Sequence, residues 1–269
     1  MRLSRRAALN GNWLDEADER IIIRSIDAGV PHENVQAMNR MSGVGQRVTS
    51  EHWETLDVVV TFAINVPNTD MAARRAVFEA AVGWAMQRGW LTVNYMENRR
   101  MHVDKVIIPS AGDLWNWTDE FSITLRAYNL PFWQEANPSR ITADGAGNGW
   151  SGSILVGGMF QTVADVRFRN TSGSTIPHFA VTTDGNQITL ESINLENGET
   201  VEFTHEPDGL LRIQKRALNV YGQEIITSLY GYQRTGGADD LYMNPGTKGV
   251  SIRTSRTGSL TVSVAGRYP

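Results

Sequence analysis

Five histidines (His32, His52, His102, His178 and His205) and a run of carboxylates (Glu196, Glu199, Glu202, Glu206 and Asp208) are the residues here that could do chemistry. The histidines include no H-E-x-x-H pair. His102 and Asp104, on alternate positions of a strand, share a face and could hold a metal ion, but no third ligand accompanies them. Two of the crowded carboxylates could flank a glycosidic bond, but acid and base work needs unlike environments, and a cluster on an exposed hairpin is solvated edge protection. Gly147-Asn148-Gly149-Trp150-Ser151-Gly152 fits the dinucleotide pattern G-x-G-x-x-G. That pattern needs a helix to follow, and a strand-like run follows instead. There is no G-x-S-x-G elbow and no phosphate-binding loop. The chain has no cysteine, which excludes thiolate metal sites, cysteine nucleophiles and disulfides. The expectation is a protein that is not an enzyme and holds no catalytic residue, metal or cofactor.

Sugar binding competes more seriously. It usually stacks a sugar on an aromatic platform. All eight tryptophans lie at or before Trp150, so the later part of the chain offers tyrosines such as Tyr221, Tyr230, Tyr232 and Tyr242.

The elements that would position any site centre on residues 56–90. Val58, Val60, Phe62, Ile64 and Val66 alternate on one face of a buried strand. Pro67 stops it, Asn68 or Thr69 offers a cap, Asp70 suits the positive end of the helix dipole, and Arg88 and Gly89 close the helix. Met71, Phe78, Val82 and Ala85 form one apolar stripe, and Ala73, Val77, Ala80 and Trp84 a second. The second stripe faces either a larger core of the chain itself or another subunit. Arg20–Asp27, Leu91–Met96, Met101–Pro109 and Phe121–Asn129 read as further strands, and Asp113–Glu120 as a tryptophan-bearing segment before the last of them. The stretch from 28 to 55 reads as a long polar loop of a kind usually functional or held by a partner.

Composition changes at Glu135–Gly158, rich in Gly, Ser, Asn and Pro. Beyond it come short strand candidates spaced by turn signals such as Asp184-Gly185-Asn186, Asn197-Gly198 and Pro245-Gly246, the pattern of an antiparallel sandwich. The reading is a mainly β chain: an α+β domain over 1–140 with one principal helix, a Gly/Ser-rich linker over 141–152, and a β-sandwich over 153–269. The net charge of −4 is spread evenly between the halves, which argues against nucleic-acid binding by net charge. No apolar run is long enough to cross a bilayer, and the basic opening residues lack the apolar stretch of a signal peptide, so a soluble protein that does not export itself is expected.

The order of segments resembles the distal tail proteins of tailed bacteriophages, especially the siphophages. The resemblance runs through IIIRSID (21–27), the spacing from Arg75 to Trp84 and FSITLRAYNLPFW (121–133). It continues in RFRNTSGSTIPHFAVT (167–182), LENGETVEFTHEPDGLLRI (195–213) and DLYMNPGTKGVSIRT (240–254). It covers nearly the whole chain, and each motif is structural.

The resemblance implies a virion protein at the distal end of the tail, made in the host cytoplasm. Its N-terminal belt domain closes into a six-membered ring and carries a peripheral galectin-like β-sandwich. The ring surrounds a channel for tape-measure protein and DNA, and joins the tail tube to tail-tip, tail-associated lysin or receptor-binding proteins. Sequence-specific nucleic-acid binding is not part of it. The alternative is a carbohydrate-binding module for host adsorption in the C-terminal sandwich. Closed rings use two different patches on each subunit. The candidate interface residues are Arg74, Val77, Trp84 and Arg88 on the helix side, and His32, Val35 and Met38 on the arm.

Overall fold

A computed structural model describes residues 5–31, 33–39, 46–108, 120–206, 209–234 and 237–269, with the backbone alone over 33–39 and 46–52. The chain divides into two compact units, unit 1 up to Trp133 (with Pro269) and unit 2 from Gln134 to Tyr268.

In unit 1 the strands are β1 (Ala7–Leu9), β2 (Asn12–Trp13), β3 (Ile21–Ala28), β4 (Glu33–Asn39), β5 (Gln46–Trp53), β6 (Leu56–Ile64), β7 (Gly89–Val93), β8 (Arg99–Val103), β9 (Lys105–Ile107) and β10 (Glu120–Ala127). Two helices accompany them, α1 (Leu14–Ala17) and α2 (Met71–Ala85). One sheet runs β3-β6-β10-β9, another contains β2-β1-β7-β8, and β4 and β5 form a two-stranded sheet of their own. Every pairing here for which a register is resolved is antiparallel. No helix among the described residues is long and apolar enough to cross a membrane.

The alternation in β6 does what its pattern predicts: Val58, Val60 and Phe62 are fully buried. The cap of α2 is not Asn68 or Thr69 but Asp70, whose carboxylate accepts from the Ala73 N–H at 3.0 Å, while the Asn68 side chain accepts from Arg74 instead. Phe78 docks the helix on the sheet, its ring 5.0 Å from Phe121 and 6.4 Å from Phe62. The helix does not have two separate apolar faces. Its buried residues, Arg74, Val77, Phe78, Ala81, Trp84 and Ala85, form one arc about 120° wide at the helical advance of about 100° per residue. Met71 and Val82 are only half-buried.

The described residues between 28 and 55 are not all the expected loop. β4 and β5 pair antiparallel from Glu33↔Trp53 to Asn39↔Gln46. Their mostly polar sequence lacks the period-two alternation that marks a half-buried strand, so the hairpin left little trace in the pattern. The tryptophan-bearing segment before β10 lies outside the described residues, apart from its last member, Glu120.

The Gly/Ser-rich stretch is not a linker. It forms most of β12 (Ser139–Ala146) and the turn into β13 (Ser151–Val156), and the boundary falls at residue 133 rather than 140. β12 pairs with β22 (Gly258–Val264) through a register shift between Ala143 and Ala146, so the glycines serve a bulge in one sheet and the turn that leads into the other. Unit 2 contains β11 (Trp133–Glu135, entering from unit 1), β12 (Ser139–Ala146), β13 (Ser151–Val156), β14 (Thr162–Asn170), β15 (Ile176–Thr183), β16 (Asn186–Leu195), β17 (Thr200–His205), β18 (Leu211–Leu218) and β19 (Glu224–Ser228). It ends with β20 (Tyr242–Met243), β21 (Gly246–Thr254), β22 (Gly258–Val264) and β23 (Arg267–Tyr268).

A seven-stranded sheet, β12-β22-β14-β17-β18-β19 with β20 beside β14, packs on a four-stranded one, β13-β21-β15-β16. Val166, Phe168, Val201, Phe203 and Leu260 from the first interleave with Phe179, Val181, Ile188, Leu190 and Ile252 from the second. Phe179 sits between its neighbours, 4.9 Å from Phe168 and 6.0 Å from Phe203. This is an antiparallel β-sandwich with one continuous core.

Candidate functional site

The residues expected at a subunit interface divide by position. Val77 and Arg74 are fully buried and Trp84 is 2% exposed, so unit 1 covers them itself, which corrects the expectation that they face a neighbour. α1 packs against α2, and the Trp84 indole N–H donates to the Asn12 carbonyl of β2 at 2.7 Å. Arg74 donates to the Val66 carbonyl at 2.9 Å and to the Asn68 side chain at 2.7 Å, tying the first turn of α2 to the loop that enters it. Arg88 is exposed, with a left-handed backbone (φ 51°) whose carbonyl accepts from Asn10. Val35 and Met38 lie on β4, where only the backbone is described, and His32 lies outside the described residues.

His102 and Asp104 do pair, at 3.0 Å. Asp104 also accepts from the backbone N–H groups of Tyr128 and Asn129, which makes it a turn anchor. Among the described residues no group of three or more histidines and carboxylates is placed to hold a metal ion.

The carboxylate run behaves less uniformly than its sequence suggests. Glu199 pairs with Lys215 at 3.2 Å and caps the Glu196 N–H, Glu206 lies 3.6 Å from Arg212, and Asp208 is outside the described residues. Glu202 departs from the expected solvated cluster: it is 1% exposed, on the outer face of the seven-stranded sheet. One carboxylate oxygen meets the Arg167 guanidinium and the other meets Arg216, which also pairs with Glu224 at 2.9 Å. The guanidinium groups cover the carboxylate, so it is buried without lying in the core.

These residues line a groove of about 400 Å³ together with Arg169, Thr200, Ser259 and Thr261. A second depression of about 460 Å³, lined by Asn186, Gln187, Thr189 and Arg234, opens elsewhere in unit 2. Tyr221, Tyr230, Tyr232 and Tyr242 are exposed, and none of them lines either depression.

Sequence reasoning missed a second buried charge. The His205 imidazole, 6% exposed, lies between Asp165 and Asp240, with each ring nitrogen 2.8 Å from a carboxylate oxygen. Both nitrogens must then donate, as they do only in the imidazolium. Burial pulls the pKa of His205 down, but the hydrogen bonds and charges of the two aspartates outweigh it and raise the value from 6.5 to about 9. Arg267, whose own pKa burial lowers, and Tyr242 are also close enough to interact with Asp240.

A folded pKa above the unfolded one means that His205 contributes its full stability below pH 6.5 and loses it as pH rises to about 9. The contribution at low pH is on the order of 3 kcal/mol. Urea unfolding of the wild type and of His205→Gln should show a wide stability gap at pH 6 that narrows by pH 9.5. A gap that stays constant would mean that the buried imidazole is neutral.

No family model matches the chain, and no curated protein sequence does. Solved structures do match. The crystal structure of the SPP1 Dit (gp 19.1) protein, described as a paradigm of the hub adsorption apparatus in phages infecting Gram-positive bacteria, superimposes with a TM-score of 0.63. Identity is 11%, over 98% of this chain and 99% of that one. The phage P2 baseplate in its activated conformation with Ca gives 0.49 at 7% identity over 98% of each chain. The corresponding structure with Sr gives 0.48 at 8% identity over 97% of each. Over nearly its whole length, therefore, the chain has the fold of a phage Dit hub protein.

Proposed function

We propose that this protein is a structural hub of a phage tail. Its unit 1 closes into a six-membered ring at the distal end, and unit 2 is the galectin-like domain on the periphery. The observation that carries the reading is the match of both units, in order and over 98% of the chain, to one hub protein. The ring would join the tail tube to tail-tip, lysin or receptor-binding proteins and leave a channel for tape-measure protein and DNA.

The β4–β5 hairpin supports an assembled state on physical grounds. A lone two-stranded ribbon is marginally stable in water, and packing against a neighbour removes that weakness. The strand carrying Val35 and Met38, and the exposed Arg88, remain as the two interface patches. Because Val77 and Trp84 are buried at home, the helix contributes its surface end rather than its apolar stripe.

Native mass spectrometry of the full chain with its tube partner is expected to show a species six times the 29.9 kDa protomer. A protein that stays monomeric at micromolar concentration in that mixture would overturn the ring. A second reading, host adsorption through sugar binding by unit 2, is favoured by the polar groove around Glu202.

A further inference from the structure

Strand register arranges the groove as two parallel rows across the outer face of the seven-stranded sheet. One row runs Thr261, Arg167, Glu202, Gln214, and the next runs Ser259, Arg169, Thr200, Arg216. Neighbours along a row are about 5 Å apart and the rows about 7 Å, and in the second row hydroxyls and guanidinium forks alternate.

The charges in the groove do not cancel. Glu202 is shared by Arg167 and Arg216, and Glu224 takes a second edge of Arg216. Arg169 is exposed and donates only to the Gly198 carbonyl, at 3.3 Å. No carboxylate partners it among the described residues. Three guanidiniums against two carboxylates leave one positive charge uncompensated, in a chain whose net charge is −4. Glu202 holds the Arg167 and Arg216 forks in place, so these two would lose little side-chain entropy on binding.

What lines the groove also narrows the occupant. A neutral sugar usually stacks on an aromatic ring, and among the described residues no aromatic lines the groove. A protein partner usually needs a buried apolar or aromatic anchor, and Leu218 and Ala217 are the only apolar side chains on its wall. Hydroxyls with unpaired guanidinium donors suit an oxyanion carried on a hydroxylated chain.

We propose that this groove binds an acidic polysaccharide or polyol polymer through its phosphate or carboxylate groups, with Arg169 as the principal anion contact. The proposal rests on the sugar-binding reading of unit 2 and not on the ring, so mass spectrometry of the assembly and polymer binding can fail separately.

The test is isothermal titration calorimetry of the full chain with poly(glycerol phosphate), polygalacturonate, neutral dextran and polyglutamate, each at low and physiological salt. Binding of the phosphate polymer, the uronate polymer or both is expected, and the responding polymer identifies the anion. Dextran and polyglutamate should bind at least about tenfold more weakly. Arg169→Gln should weaken binding about tenfold, the usual scale for losing one charge-assisted contact. Arg169→Lys should recover part of it, with the melting temperature unchanged in both variants. Silence with both acidic polymers would overturn the site. So would equal binding of polyglutamate, which would mean undirected attraction, or binding unchanged in Arg169→Gln, which would place the contact elsewhere.

Discussion

Trp84→Ala is expected to destabilise unit 1 by about 3–5 kcal/mol, the range for deleting a large buried aromatic side chain. Trp84 is 2% exposed on the flank of the α2 arc, and its indole N–H holds the Asn12 carbonyl of β2 at 2.7 Å. The variant therefore opens a cavity beneath α1 and leaves a carbonyl without its donor. Urea unfolding followed by far-UV circular dichroism measures the loss. A Trp84 that served a subunit interface would behave otherwise: the isolated chain would unfold as the wild type does, and only assembly would fail. An unchanged unfolding midpoint with lost assembly would restore the interface assignment that the burial of Trp84 argues against.

Phe179→Ala should cost unit 2 a similar amount, about 3–5 kcal/mol. Phe179 is fully buried between Phe168 and Phe203, where it links the inner faces of the two sheets. Neither sheet can fill the vacancy alone, because both backbones are held by strand pairing on either side of the residue. Differential scanning calorimetry should show the transition of unit 2 lowered while that of unit 1 stays in place, since each unit has its own core. Equal lowering of both transitions would mean that the two units unfold as one cooperative block. Together the two variants separate the stability of one unit from that of the other.

The parts of this molecule that could be read from its sequence are those in which one segment carries its own instructions. β6 is β-branched at period two and Phe78 falls on the helix face that meets the sheet, whereas the cap is Asp70 and not Asn68 or Thr69. The many short strands of unit 2, punctuated by Asp184-Gly185 and Asn197-Gly198, marked a sandwich because turn chemistry is local: Gly185 and Gly198 adopt φ of 88° and 87°. The β4–β5 hairpin and β12 were obscured for the opposite reason. A polar ribbon and a glycine-bearing bulged strand lack the alternation that reveals strands buried on one face.

Local residue types thus establish the strand and helix of residues 56–90, the mainly β class, the two-unit order and the absence of any cysteine chemistry. Tertiary pairing alone decides which charges are buried and with what. His205 meets partners 40 and 35 residues away, and Glu202 is covered by guanidinium groups from the strands on either side of its own. Register across antiparallel strands creates these encounters except that with Asp240, which the bend before β20 supplies, and no spacing within a single strand can encode them. The same holds for α2, whose second stripe could equally have faced a neighbour until α1 packed against the helix and the Asn12 carbonyl of β2 met Trp84.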